Sequence, residues 1–299
     1  MLILIFSSSI LAFLIAFLFK FLKADGDLTL LSKKHVKREE IEDKVIWITG
    51  ASRGIEILAK QLASLGAKLI ISARNEVELQ RVKNQLSGKH APDEVVILPL
   101  DLSRGEEYLQ EMVQKTELLF GGAGVDYMFH NAAYERPKSI ALDVTEESLK
   151  ATFDMSSAAG KTPAPGQAVY SASKYAVNGY FHTLRSELCR RGIKVTVVCP
   201  GPVKTSARSE ASTSEQKGSS EKRVSSERCA ELTIIAASHG LKEAWISYQP
   251  VLAVMYLVQY MPTVGYWLLD KIGEKRVAAA AQKGNTYSMS LLFVEKKEM

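Results

Sequence analysis

The chain has 299 residues, of which 46% are hydrophobic and 24% charged. This balance is typical of a globular protein and excludes a collagen, a coiled coil and a largely disordered chain. The net charge of +5 is small and dispersed, so we expect no nucleic-acid partner. Three cysteines without a CxxC pair exclude a disulfide framework, and neither they nor the five histidines show the spacing of a metal site.

The first 23 residues predict a membrane anchor. Leu2–Phe19 is apolar and uncharged, and a run of this length can cross a hydrocarbon core of ~30 Å as a helix. A cleaved signal peptide is the alternative, but no charged region precedes the run and no A-x-A site follows it. Lys20 and Lys23 follow the run, which places the remainder of the chain in the cytosol.

The C-terminus carries a second indication of location. Lys296 and Lys297 lie just before the last two residues and resemble the dilysine retrieval signal of endoplasmic-reticulum membrane proteins. A solvated basic tail is the alternative interpretation. Together the two ends predict location in the endoplasmic-reticulum membrane, with the main domain in the cytosol.

From residue 44 onward, short β-branched runs alternate with amphipathic segments. Such alternation predicts a Rossmann-like, doubly wound α/β fold with a parallel sheet, in which ligands bind at the carboxyl ends of the strands. The predicted strands are 44–49, 67–72, 95–98, 125–130, 193–199 and 243–246, and the predicted helices are 56–65, 75–86, 106–119, 144–153, 167–190 and 226–238. The predicted organisation is anchor 1–23, linker 24–43, α/β domain 44–247 with a polar loop at 205–228, and an apolar C-terminal extension with a tail at 248–299.

A glycine turn follows the first predicted strand. Backbone N–H groups in such a turn, together with the dipole of the next helix, can bind a pyrophosphate. The signal is weak alone, because glycines end many strands. The candidate cofactor-binding residues in this turn are Gly50, Ser52, Arg53, Gly54 and Ile55.

Three further strand ends extend the candidate cofactor site. Dinucleotide folds that bind NAD place an acidic residue after the second strand, but here Arg74 follows Ser72 and Ala73. An arginine suits a 2′-phosphate and therefore indicates NADP(H), although a plain surface arginine is the alternative. Asp101 after the third strand and Asn131 after the fourth can line the same cleft, or can simply form turns.

Tyr170 and Lys174 form a Y-x-x-x-K pair at the start of a long predicted helix. Residues four apart share one helix face, and a neighbouring ammonium favours the phenolate form of a tyrosine. Such a tyrosine can exchange a proton with a carbonyl or an alcohol. A second pair, Tyr134 and Lys138, has Pro137 between its members, which bars a regular helix there.

The order of these motifs resembles the short-chain dehydrogenase/reductase family. Ser157 precedes Tyr170 by thirteen residues, and Pro200-Gly201-Pro202-Val203-Lys204-Thr205 follows it. The resemblance covers about residues 44–246, and the anchor and tail resemble those of lipid- and steroid-type members, the hydroxysteroid dehydrogenase group among them.

The resemblance implies a role for each matching position. Tyr170 would be the general acid/base, and Lys174 would assist it and hold the nicotinamide ribose. Ser157 would bind the substrate oxygen, and the 205–228 loop would cover the substrate. Further cofactor contacts would come from Pro200, Gly201, Val203 and Thr205.

Two departures from the family pattern affect this interpretation. The family's last turn glycine is absent, and Glu56 stands in its place or one residue is missing. Only 26 positions separate Asn131 from Ser157, about half of what the family uses. A helix and a central strand of roughly 28 residues are therefore missing by usual element lengths, and with them the family's catalytic asparagine. No asparagine lies between Asn131 and Asn178 to replace it.

The extension beyond residue 247 is apolar and aromatic. Residues 251–261 are too few to span a bilayer but can dip into one, wall a lipophilic substrate pocket, or form a core or homodimer helix. We therefore expect an NADP(H)-dependent oxidoreductase that acts on a lipophilic, steroid- or lipid-like carbonyl or alcohol. The alternative is a catalytically impaired, membrane-tethered binding protein or splice variant with a broken active site.

Overall fold

The computed structural model describes residues 2–50, 56–130, 156–165, 167–204 and 222–281. The strands are β1 (Val45–Thr49), β2 (Lys68–Ser72), β3 (Val96–Ile97), β4 (Tyr127–His130), β5 (Val197–Pro200) and β6 (Glu243–Ile246). The helices are α1 (Leu2–Leu22), α2 (Leu28–Leu31), α3 (Glu56–Ser64), α4 (Glu76–Asn84), α5 (Glu106–Glu117), α6 (Leu119–Gly122), α7 (Ala168–Leu188), α8 (Ser226–Ser238), α9 (Val251–Tyr260), α10 (Pro262–Lys271) and α11 (Gly273–Ala281).

The strands form two parallel sheets. One has four strands in the order β3-β2-β1-β4, and the other pairs β5 with β6. The α/β architecture with a Rossmann-like parallel sheet is therefore confirmed. Within the described ranges no strand joins β4 to β5. The division between the sheets therefore coincides with the region where the sequence analysis found a helix and a central strand to be missing. The predicted helix 144–153 lies outside the described residues.

Burial along the strands shows where the first sheet ends. All five residues of β1 are buried, as expected for a strand covered on both faces. Along β4, half-buried residues alternate with exposed ones, and Met128 is 40% exposed. One face of β4 is therefore open to solvent.

Helix α8 packs against α3, which covers the four-stranded sheet, and against β6 of the second sheet. Its Ile234 belongs to the core cluster of β1, β2 and α3, where Ile46 and Leu62 are fully buried. Leu232 and Ile235 of the same helix belong to a second cluster with Ile246 of β6. Successive residues of a helix point in directions about 100° apart, so Ile234 faces one cluster while Leu232 and Ile235, three residues apart, face the other.

The N-terminal segment contributes to the core beyond α1. Leu30 is fully buried in the cluster around α8 and β6. The Asp27 carboxylate accepts hydrogen bonds from the Trp245 backbone N–H at 2.6 Å and the Leu30 N–H at 2.9 Å. Burial nevertheless raises the pKa of Asp27, against these hydrogen bonds.

Helix α1 exposes its apolar side chains, among them Phe13 and Phe17. None of the helices that lie in the described residues is both long enough and apolar enough to cross a membrane, so the structure does not support the predicted span.

The C-terminal helices divide between core and surface. Leu252 and Met255 of α9 are fully buried with β5 and Trp245, so this helix is part of the core. Helix α10 instead exposes Trp267 and Tyr266. Of the interpretations open for 251–261, the structure therefore favours a core helix.

Replacing Ile234 with alanine tests the role of α8. Ile234 is 1% exposed, and its truncation leaves a cavity where α8 meets the four-stranded sheet. We expect the free energy of unfolding of the full chain to fall by about 2–5 kcal/mol, measured by urea denaturation. Ile193→Ala, at a position 49% exposed, is the matched control and should change it by less than about 0.5 kcal/mol. Equal effects of the two substitutions would contradict the role of Ile234 in attaching α8 to the core.

Candidate active site

The cofactor side of the candidate site begins where β1 ends. Gly50 has a left-handed backbone, with φ of 76°, and its N–H donates to the Ser72 carbonyl at 2.6 Å. A side chain would be strained in this conformation, so glycine is required for the turn. The neighbouring candidates Ser52, Arg53, Gly54 and Ile55 lie outside the described residues.

Arg74 and Asp101 lie at the carboxyl ends of neighbouring strands. Arg74 is exposed just after β2. Asp101 accepts hydrogen bonds from the Ser103 hydroxyl at 2.7 Å and the Ser103 N–H at 3.0 Å. These bonds lower the pKa of Asp101, and the positive charges of Arg74 and Arg104 lower it further. The structure thus brings Arg74 and Asp101 together; Asn131 lies outside the described residues.

Glu56 has a structural role in the first turn of α3. Its carboxylate pairs with Lys60 and, at 3.2 Å, with Arg81 of α4. The hydrogen bond from Lys60 is the main reason that the pKa of Glu56 is lowered, against the effect of burial. Two cations therefore balance the charge of this carboxylate, which follows the candidate pyrophosphate-binding turn.

On the second side of the site, Ser157 starts a short 3-10 turn at Ala158–Gly160. The Ser157 hydroxyl oxygen accepts from the Ala159 N–H at 3.2 Å and lies 3.4 Å from the Pro200 carbonyl, to which it donates. A serine at this position satisfies a free N–H of the turn. The predicted residues Ser157 and Pro200 are therefore in contact.

Tyr170 and Lys174 lie one turn apart on α7, as predicted. The Lys174 ammonium is 5.0 Å from the centre of the Tyr170 ring, and Lys174 is 2% exposed. Lysine is rarely buried so completely. The Ser173 hydroxyl donates to the Tyr170 carbonyl at 2.7 Å and helps to hold this turn. The pair has the geometry that a lysine needs to act on a neighbouring phenol electrostatically.

Gly201 and Val203 fix the chain after β5. The Gly201 N–H donates to the Ile246 carbonyl at 2.9 Å, and a side chain at Gly201 would overlap Ser247. Val203 forms a bridge with Val224, which brings together the two ends of the predicted 205–228 loop. Thr205 lies outside the described residues.

A cluster of buried and half-buried ionisable side chains beside the site was missed in the sequence analysis. The Lys161 ammonium and the His182 imidazole each lie 2.8 Å from the Glu243 carboxylate. Burial acts to raise the pKa of Glu243, but hydrogen bonds from Lys161 and Trp245 outweigh it and the pKa is lowered. These residues are far apart in the chain, and no spacing rule connects them. They attach the turn after Ser157 to β6 and α7.

The C-terminal helices hold the same turn. Gln259 of α9 donates to the Lys161 carbonyl at 2.8 Å, and Arg276 of α11 donates to the Pro163 carbonyl at 2.7 Å. The extension therefore supports the segment between Ser157 and Tyr170.

Comparison with known proteins gives the family. The model of the short chain dehydrogenase family matches residues 44–156 and 153–216. The chain is 34% identical to human dehydrogenase/reductase SDR family member 7, over 89% of this chain and 89% of that protein. The chain therefore belongs to the short-chain dehydrogenase family.

Solved structures agree at the level of the fold. A short-chain dehydrogenase from Escherichia coli, determined in complex with NADPH, superposes with a TM-score of 0.59 at 21% identity, covering 72% of this chain and 100% of that chain. An NADPH-dependent reductase involved in bacilysin biosynthesis gives a TM-score of 0.58 at 20% identity, covering 69% and 96%. Both comparisons support the parallel α/β fold.

Proposed function

We propose that this oxidoreductase is an NADP(H)-dependent reductase of lipophilic, steroid- or lipid-like carbonyl compounds. The observation that carries the proposal is the packing of the Lys174 ammonium 5.0 Å from the Tyr170 ring, beside the segment that holds Ser157. This arrangement provides a proton donor and a group that favours its ionised form.

The described residues on the cofactor side fit a dinucleotide. Gly50 has the left-handed conformation of a tight phosphate-binding turn, and Arg74 is exposed where a 2′-phosphate would lie. Asp101, whose pKa is lowered, is positioned to accept a hydrogen bond from the base. The relatives determined or described with NADPH support the choice of NADP(H) over NAD(H).

The proposed proton step uses three side chains. NADPH, when bound, supplies the hydride that reduces the carbonyl carbon. The Tyr170 hydroxyl donates its proton to the carbonyl oxygen, and the Lys174 ammonium stabilises the phenolate that remains. The Ser157 hydroxyl turns its single O–H from the Pro200 carbonyl to the same substrate oxygen and holds it near Tyr170.

A second candidate is a non-catalytic binding protein. The division of the sheet between β4 and β5 favours it, because cofactor-side residues lie on one sheet and Ser157 contacts the other. A small relative displacement of the sheets would separate the cofactor from Tyr170 and cost much of the rate.

Tyr170→Phe distinguishes the two candidates. We expect the wild-type chain to oxidise NADPH in the presence of a panel of steroid ketones and long-chain aldehydes, and the variant to lose at least about a hundredfold in kcat, the usual contribution of an acid/base group. Tyr180→Phe, on the exposed part of the same helix, is the control and should keep its activity. Full activity of Tyr170→Phe would rule out the mechanism, and an inactive wild type would favour the binding protein.

Arg74→Ala tests the cofactor assignment. Loss of the guanidinium removes the partner of the 2′-phosphate, so NADPH affinity should fall by about tenfold, while NADH affinity should change little. Calorimetric titration with NADPH and with NADH measures the dissociation constant of each cofactor for the variant and the wild type. Arg190→Ala, at an exposed arginine in the turn just after α7, should leave both affinities unchanged. Equal losses for both cofactors would contradict a role for Arg74 in phosphate recognition.

We further propose that α1 attaches the protein to the endoplasmic-reticulum membrane, with the α/β domain in the cytosol. The exposed apolar side chains of α1 support contact with lipid, and Lys20 and Lys23 follow at its C-terminal end. A lipid surface would also place the site close to lipophilic substrates.

Flotation with phosphatidylcholine vesicles tests this attachment. Phe13 and Phe17 are 69% and 44% exposed, and replacing both with aspartate should reduce vesicle binding by at least about tenfold because charge is disfavoured in lipid. Val77→Asp, at an exposed apolar residue of α4, is the control and should not alter binding. Failure of the wild-type chain to float, or equal binding by the double variant, would contradict the proposal.

A further inference from the structure

One buried amide bonds to both sides of the segment that carries Ser157. Asn178 lies on α7 one turn after Lys174 and is 5% exposed. Its Oδ1 atom accepts a hydrogen bond from the Ser156 hydroxyl at 2.5 Å, and its Nδ2 atom donates to the Gly160 carbonyl at 2.9 Å. A single side chain therefore holds the residue before Ser157 and the end of the turn that Ser157 starts.

The segment packs directly on the backbone of α7. A Cβ atom at Gly160 would lie 2.8 Å from the Asn178 amide nitrogen and 3.0 Å from the Lys174 carbonyl oxygen. Glycine is therefore needed for this approach, and the place of contact is the turn of α7 that bears Lys174. Any movement of Gly160 away from Asn178 would also move the turn away from Lys174.

Cys199 of β5 closes the other side of this contact. Its Sγ atom lies 3.3 Å from the Ser156 hydroxyl. Burial raises the pKa of Cys199 to about 12, so the thiol is neutral at physiological pH. The Ser156 hydroxyl is thus enclosed between a neutral thiol and the neutral Asn178 amide.

We propose that Asn178 is a positioning residue that fixes the Ser157 hydroxyl relative to Tyr170 and Lys174. The inference rests on the proposed carbonyl reduction, in which Ser157 holds the substrate oxygen. Both functions of an amide are used, because Ser156 needs an acceptor and Gly160 needs a donor. An aspartate would keep only the acceptor, and a leucine of similar size would keep neither.

Two variants of the full chain, Asn178→Asp and Asn178→Leu, test the inference. At about pH 8 both leave the Gly160 carbonyl without a donor, so hydrogen exchange of the backbone at 157–162 should accelerate by about tenfold or more. The kcat of carbonyl reduction should fall by a similar factor, while NADPH affinity should stay within about twofold, because the contacts of Asn178 are to the Ser157 segment and not to the cofactor turn.

The two variants should differ at lower pH. A buried aspartate becomes protonated at about pH 5–6, and its O–H can then donate to the Gly160 carbonyl in place of the amide. At this lower pH, the hydrogen-exchange rate at 157–162 and kcat should therefore return toward the wild-type values in Asn178→Asp but not in Asn178→Leu. The titratable groups around this position are Lys174 and His182 on α7, Lys161 in the turn, Cys199 on β5, Glu243 on β6 and Asp27 before α2. All of them are present in both variants, so the leucine variant reports any effect that they have on exchange or kcat.

Asn84→Asp, on the exposed surface of α4, is the control and should match the wild type in every measurement. Unchanged exchange at 157–162 in both Asn178 variants would overturn the inference, as would unchanged kcat alongside faster exchange. A wild-type chain that reduces no carbonyl would instead refute the proposed function. In that case, faster hydrogen exchange at 157–162 in both variants, reversed at lower pH only in Asn178→Asp, would still support the structural part of the inference. That part is that Asn178 fixes this segment by its hydrogen bonds.

Discussion

The packing of α8 against α3 of the first α/β unit and against β6 of the second sheet is the constraint on which the rest of the structure depends. Ile234 reaches the core of the four-stranded sheet, and Leu232 and Ile235 reach the core of β5 and β6. Backbone hydrogen bonds would normally join neighbouring strands of one sheet, but in the described residues none joins β4 to β5. Side-chain burial on one helix therefore supplies much of the connection, with Leu30 of the N-terminal segment packed beside it.

This arrangement has a direct consequence for the candidate site. Gly50, Arg74 and Asp101 depend on the first sheet, whereas Ser157 is bonded to Pro200 of the second. Tyr170 and Lys174 lie on α7, which is held to the Ser157 segment by Asn178 and to β6 by the contact of His182 with Glu243. The proposed hydride transfer would require both halves at a fixed separation, so the rigidity of the second half would matter more than in an undivided sheet. The buried contacts of Asn178, Lys161 and Arg276 all act in that half.

Local sequence pattern predicted the elements but not these contacts. Strand β6 and helix α8 have the predicted bounds, because each has a clear hydrophobic pattern and clear sequence signals at both ends. Strand β5 begins at Val197 rather than Ile193, since residues 193–194 are exposed and an apolar run alone does not show whether a neighbouring strand will cover it. The pairing of Tyr170 with Lys174 follows from helix geometry. The bonds of Asn178 to Ser156 and Gly160, and of Arg276 to Pro163, join segments that are distant in the chain, so only the folded structure reveals them.

Thermal unfolding of the full chain, alone and with saturating NADPH or NADH, tests the central claim most directly. If α8 holds the two sheets together as one cofactor-binding unit, the chain should unfold in a single cooperative transition. NADPH at a hundred times its dissociation constant should stabilise it by about 2.7 kcal/mol, or roughly 4–5 °C for a chain of this length, and NADH at the same concentration should do so less. Two separate transitions, or a single one that responds to neither cofactor, would contradict the account.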